Sequence, residues 1–266
     1  MDDYCPKGGL RGEHGLSLYI EAGHTRLLFD TGQDEGFIKN ARTLGVDLAG
    51  LDAVVLSHGH YDHGGGLRIL YEALEALPPP LFAGKGFNLP RKSRSEAGIK
   101  DIGIPEPILP ARAPAAIVIK QVEELAPGVY LLPRAERIDG GEATPRFRKI
   151  QDGAELLDDF DDELSLTFDG KDGIVVVTGC AHRGILNIAR AAMDAFPGKP
   201  LKALVGGLHL VDAPPEEIGR VADGIASMNP GAVLCAHCTG LPGFVALSLA
   251  LPGKLSWLSC GMRVSL

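Results

Sequence analysis

Apolar and polar positions alternate in short blocks that divide the chain into strands and helices. Residues 16–20 and 26–29 read as a hairpin around Ala22-Gly23-His24, residues 37–44 repeat apolar positions at helical spacing, and the unbroken apolar run 53–56 reads as a buried strand. A helix opens through residues 67–70 and runs towards Leu77, where Pro78-Pro79-Pro80 stops it. The pattern restarts with a strand over 164–168, a turn at Asp169-Gly170-Lys171-Asp172-Gly173 and a return strand over 174–177. A helix over 185–196, a strand over 203–205, a helix over 215–228 and a strand over 232–234 follow. This order predicts an α/β (α+β) protein: an αββα sandwich of two mixed β-sheets flanked by helices, with a site where strand ends meet.

One of those strand ends carries concentrated chemistry. Ser57-His58-Gly59-His60-Tyr61-Asp62-His63-Gly64-Gly65-Gly66 follows the 53–56 strand directly, and three of the chain's eight histidines fall within it. Imidazole and carboxylate are ligands that suit zinc and similar borderline metals, and His58 and His60 alternate so that extended backbone points both rings the same way. Asp62 and His63 lie past the bend, placed to serve a second metal. The glycines allow close backbone approach and open the next helix. Chance clustering on a surface loop is a poor alternative given the strand-loop-glycine context.

The His-x-His-x-Asp-His pattern resembles the signature of the metallo-β-lactamase fold superfamily. Leu27-Leu28-Phe29-Asp30-Thr31-Gly32 is similar to the family's strand ending in Asp-Thr-Gly, which implies that the Asp30 carboxylate supports the site from behind. With Gly12-Glu13-His14-Gly15-Leu16-Ser17, Thr178-Gly179-Cys180-Ala181-His182, Gly206-Gly207-Leu208-His209 and His237-Cys238-Thr239-Gly240, the likeness spans almost the whole chain. It points to the branch of 7,8-dihydropterin-6-yl-methyl-4-(β-D-ribofuranosyl)aminobenzene-5′-phosphate synthases.

The resemblance implies a single domain over residues 1–266 and metal ligands His58, His60, Asp62, His63, Cys180 and His237. Cys180 stands where the superfamily commonly has a bridging Asp; a thiolate there would bind zinc strongly, whereas a buried structural Cys is the competing reading. His182 and His209 follow strand ends and can serve as ligands, proton shuttles or substrate donors; together with Asp62 they are the catalytic candidates. The family's third-motif His is absent. Asp158-Asp159-Phe160-Asp161-Asp162-Glu163 occupies its region, so that Asp161, Asp162 or Glu163 substitutes, His209 fills the role, or the run is a solvated acidic turn. His14 is expected to brace the cleft wall and His24 to sit exposed in its turn. The superfamily usually has a strand ahead of the first hairpin; only about a dozen residues, with Gly8-Gly9 among them, precede the hairpin here, so the expectation is a missing strand or a misassigned start codon.

Composition narrows the partners. In 266 residues, 45% hydrophobic content supports a large core, and 23% charged residues argue against disorder. No apolar run reaches the roughly 18 residues a membrane span needs, and the acidic Met1-Asp2-Asp3-Tyr4-Cys5-Pro6 start does not read as a signal peptide. A net charge of −8 disfavours nonspecific nucleic-acid binding. Five scattered cysteines argue against a disulfide framework and for a reducing cytoplasm.

Residues 84–114 read as an inserted lid rich in Pro and Gly, with Lys85, Arg91, Lys92, Arg94 and Lys100 available to hold a phosphate through bidentate Arg contacts. Arg146, Arg148 and Lys149 form a second basic group; a solvated lid without ligand is the plainer alternative. The expected cofactor is zinc, one or two ions, with manganese or iron as alternatives. The expected substrate is a small anionic, phosphate-bearing molecule. A synthase-like metal enzyme is the first functional reading; a metal-dependent hydrolase of a phosphoester is the second, and a metal-bound sensor or binding protein without turnover is the third.

Overall fold

A computed structural model describes residues 1–74, 78–140 and 144–266. These form two compact units. The first comprises Met1–Lys120, Ala143–Asp162 and Ser259–Gly261; the second comprises Gln121–Glu142, Glu163–Leu258 and Met262–Leu266.

In the first unit the hairpin Leu18–Ala22 and Thr25–Phe29 pairs antiparallel, and Ala53–Val55, Leu81–Gly84 and Ile117–Ile119 then add in parallel to complete a five-stranded sheet. All three residues of Ala53–Val55 are buried, as an interior parallel strand covered on both faces requires. Helices Gly36–Leu44 and Leu67–Ala73 supply Phe37, Ile38, Leu67 and Leu70 to a core with Leu28, Val54, Leu56 and Leu81. Burying each such side chain stabilises the fold by about 1.5–3 kcal/mol. The expected end of the second helix, near Leu77, lies outside the described residues.

A four-stranded antiparallel sheet is also present, ordered Ala154–Leu157, Phe147–Gln151, Arg91–Ser95, Gly98–Asp101. Its sequences gave no strand signal because they are polar and largely exposed; hairpin pairing holds these strands more than burial does. The described residues thus carry three sheets.

The second unit holds a seven-stranded mixed sheet ordered Leu255–Trp257, Ala232–Ala236, Leu201–Gly207, Gly173–Thr178, Ser165–Gly170, Val129–Leu132, Glu123–Ala126. The first four strands are parallel and the remainder antiparallel. Helices Ile185–Ala195 and Pro215–Ser227 fall where the periodicity places them, and the latter starts with Pro at its first position and Glu216 and Glu217 in its first turn, where the helix dipole favours acids. Ile185, Ile188, Ile218, Val221 and Ile225 pack with Val176, Leu204 and Val233 of the sheet. A further helix, Gly240–Ala250, lacks a polar face and so escaped the periodicity; its Pro242 lies in the first turn, where a missing N–H costs nothing. The parallel strands all end on one edge, and that edge carries the second unit's chemistry.

Candidate metal centre

In the first unit the Ala53–Val55 strand delivers Ser57 and the histidine loop, while Asp30 ends the neighbouring strand. The Asp30 N–H donates to the Val55 carbonyl at 2.9 Å, and φ of +59° turns the chain sharply at that point. Its fully buried carboxylate accepts the Ser57 N–H and Oγ–H, both at 2.7 Å, and Nδ1–H of His63 at 2.6 Å. Because the Ser57 hydroxyl spends its proton on Asp30, it accepts from Nδ1 of His58 at 2.9 Å. Both rings are thereby held with Nδ1 protonated and Nε2 presenting its lone pair, the arrangement by which a carboxylate orients a metal-binding imidazole. Asp30 thus braces Ser57 and His63 from behind the loop.

The His58 ring centroid lies 4.6 Å from that of His60 and 4.3 Å from that of His63. Burial, then the nearby His63 and His60, hold the His58 pKa well below its ordinary value, so its neutral, metal-binding form prevails. Phe147 and Phe160 box the His60 ring at 5.5 and 5.3 Å. Asp62 Oδ2 lies 4.0 Å from His63 Nε2 and 3.3 Å from Nε2 of His14, whose Nδ1 meets Asp3 at 2.7 Å. Gly59 is required by space: a Cβ would sit 1.9 Å from the Phe87 carbonyl oxygen. His24 is exposed in its turn, as expected.

The acidic run is not a solvated turn. Asp158, Asp162 and Glu163 are buried because each has structural partners. Asp162 accepts the Gly59 N–H at 2.7 Å and pairs with Arg91 Nη2 at 2.8 Å; Asp158 takes Arg91 Nε at 2.8 Å. Burial raises the Asp162 pKa even though Arg91 opposes it. Asp161 faces outward to Lys149 at 2.7 Å. Arg91 itself is buried, with further bonds to the carbonyls of Gly59, Phe87, Leu89 and Gly86, and is therefore spent on structure and not on a phosphate. Arg94 is likewise paired in two bonds with Glu155.

In the second unit three adjacent parallel strands end in Cys180 and His182, His209, and His237 and Cys238. Ala181, His209 and His237 all adopt left-handed φ, of +60°, +48° and +49°, a costly conformation that concentrates where function needs it. The ligand atoms of Cys180, His182 and His209 lie within 4.8 Å of one another, as do those of Cys180, His237 and Cys238. The His182 and His209 rings are 4.2 Å apart. Glu163 supports this set by accepting the backbone N–H groups of His182 at 2.6 Å and Arg183 at 2.8 Å.

Cys238 was not singled out by the sequence reading. Its Sγ accepts the His209 N–H at 3.3 Å and sits 3.6 Å from the Cys180 carbonyl oxygen, in a space kept open by Gly207, where a Cβ would come within 2.6 Å of the sulfur. Burial alone pushes the Cys238 thiol up; hydrogen bonds with Cys180 and His209 and the charge of His237 outweigh it and hold the thiol well below its ordinary value. The one available signal was its spacing from Cys235, but Cys235 packs into the apolar core instead. Each unit therefore offers a largely buried set of imidazole with carboxylate or thiolate donors, the chemistry that divalent borderline metals take.

The model of the metallo-beta-lactamase superfamily matches residues 10–79. The chain is 31% identical over 242 residues to an uncharacterized protein of Methanocaldococcus jannaschii, covering 89% of this chain and 88% of that one. It is 29% identical over 244 residues to the same organism's 7,8-dihydropterin-6-methyl-4-(beta-D-ribofuranosyl)-aminobenzene-5'-phosphate synthase, covering 86% and 81% respectively. The crystal structure of Tm1679, a metal-dependent hydrolase of the beta-lactamase superfamily, superimposes with a TM-score of 0.87 at 29% identity, over 100% of this chain and 96% of that one. The chain belongs to the metallo-β-lactamase superfamily and has its mixed α/β fold. No helix among the described residues is long and apolar enough to cross a membrane.

Proposed function

We propose that the protein is a metal-dependent enzyme of the dihydropterin-synthase-like branch, acting on a small phosphate-bearing substrate, with zinc, manganese or iron as its metal. The observation that carries this reading is the pair of donor sets, one built on the buried His58, His60, Asp62 and His63 and the other on the buried Cys180, His182, His237 and Cys238 with the half-buried His209. The grouping of His182 and His209 with Cys180 favours a metal-holding role for both, which fills the place of the family's absent third-motif His. A bound metal would polarise a phosphoryl or carbonyl oxygen and stabilise a leaving anion.

The chain's own residues do the rest. Asp30 and Ser57 fix the tautomers of His63 and His58. Asp62 is placed to orient the attacking group and take its proton, with His14 beside it to share the charge. In the synthase reading that group is an arylamine and pyrophosphate leaves; in the hydrolase reading it is water. The hydrolase is the second reading, favoured by the whole-chain likeness to Tm1679.

Elemental analysis of protein purified without added metal, beside the His60→Ala and Cys180→Ala variants, tests the proposal. Near two equivalents in the parent with loss in both variants is the expected result, and it justifies assaying dihydropterin pyrophosphates against simple phosphoesters. No metal uptake even after reconstitution would overturn it.

A further inference from the structure

We propose that the cleft beside Tyr61 and Lys100 is the subsite that takes the phosphate monoester end of an aromatic or otherwise apolar substrate; this deepens the functional reading above and rests on it. The cleft measures about 390 Å³, within the range of small-molecule sites, and Tyr61, Pro90, Ile104 and Pro105 form its walls. Lys100 stands on it with its Nζ 3.3 Å from the Tyr61 hydroxyl and 5.0 Å from the ring centroid.

The cleft belongs to the metal loop. Tyr61 lies between His60 and Asp62, which are both buried, while its own side chain reaches the cleft. The Tyr61 N–H donates to the Ile102 carbonyl at 2.9 Å, and His60 forms a β-bridge with Gly103, so the wall over 102–105 is paired with the backbone of the histidine loop. Tyr61 thus joins the cleft it lines to the loop that carries His60 and Asp62.

Charge selects the occupant. Of the cations in the basic segment, Arg91 is buried against Asp158 and Asp162, Arg94 is held by Glu155, and Lys92 lies 3.7 Å from Asp101. Arg91 and Asp101 also line the cleft; Arg91 is held by the two buried aspartates, and Lys92 stands near Asp101. Among the described residues Lys100 has the Tyr61 hydroxyl for its partner and no carboxylate in ion-pair contact, at the mouth of a largely apolar cleft. An ammonium beside a phenolic O–H offers a point charge and a hydrogen-bond donor to one phosphate, while the ring and proline walls take the apolar body.

Titration of phenyl phosphate into the full-length protein, metal-loaded and after chelation, tests this by calorimetry. Lys100→Met is expected to weaken binding about tenfold, the worth of one hydrogen bond to a charged group. Lys100→Arg should retain most of the affinity, and the exposed Lys171→Met should bind like the parent. Phenol, which lacks the phosphate, should not distinguish Lys100→Met from the parent. Absence of saturable binding, or equal affinity in Lys100→Met and the parent, overturns the subsite. Binding abolished by chelation but indifferent to Lys100→Met also overturns it, while leaving the metal-enzyme reading intact. Binding that depends on Lys100 in a protein that takes up no metal supports the subsite and sinks the metal reading.

Discussion

The two donor sets reach similar chemistry by opposite routes. The histidine loop of the first unit draws its donors from six consecutive positions and braces two of them from behind with one carboxylate, Asp30, which holds His63 directly and His58 through Ser57. The second unit draws its donors from three strand ends, and sheet register aligns them: Thr178 pairs with Gly206 and Gly206 with Cys235. There the support is Glu163, which holds backbone N–H groups and leaves the rings to be aimed by left-handed turns at Ala181, His209 and His237. A local loop concentrates its support in one residue, whereas a register-built site spreads it over a sheet.

That difference predicts graded sensitivity. His60→Ala removes a donor outright, and metal affinity should fall by more than about 100-fold, the upper end of what loss of an outer partner costs. Asp30→Asn should come next. It keeps the side chain's shape but removes the charge that orients His63, and metal affinity measured by competition with a chelator should drop about 10- to 100-fold. Equal affinity in Asp30→Asn and the parent would mean that the loop holds its histidines without help from behind.

Legibility in the sequence followed the same division. The loop could be read directly because its donors are contiguous, and Asp30 could be read because it ends a strand next to them. Cys180, His182, His209 and His237 were visible as strand-end residues, but their sorting into groups depends on which strands are neighbours, which alternation does not encode. Arg91 illustrates the opposite failure. As one cation in a basic segment it resembled a phosphate ligand, and only the fold shows Asp158 and Asp162 facing it. The surrounding four-stranded sheet was hidden for a related reason: its polar strands carry no apolar period for a sequence reading to find.

Glu163→Gln makes the milder perturbation expected of distributed support. The amide keeps one acceptor for the N–H of His182 or Arg183 and turns a second donor against the other, at a cost of about 1–3 kcal/mol in unfolding free energy. Metal affinity should fall by about tenfold or less, because register still aligns the strand ends. Urea midpoints and chelator competition, run beside Asp30→Asn, measure both. A larger loss of metal affinity in Glu163→Gln than in Asp30→Asn would break the contrast between the two regions.

Cys238→Ser swaps a single atom, and it is best read through pH in metal-free protein. The folded thiol titrates well below its ordinary value, so the folded state loses its proton more readily than the unfolded chain does. Its stabilising contribution is full above the unfolded thiol pKa, near ~8.5, and is lost as pH falls through the folded value. The parent should therefore become less stable relative to Cys238→Ser as pH is lowered through that window; the difference cancels the titration of histidines common to both proteins. Urea unfolding at a series of pH values, with thiolate absorbance recorded in parallel, follows the change. Parallel stability curves for parent and variant would show that burial wins at Cys238, and that its contacts with Cys180 and His209 position a neutral thiol instead of a thiolate ready for metal.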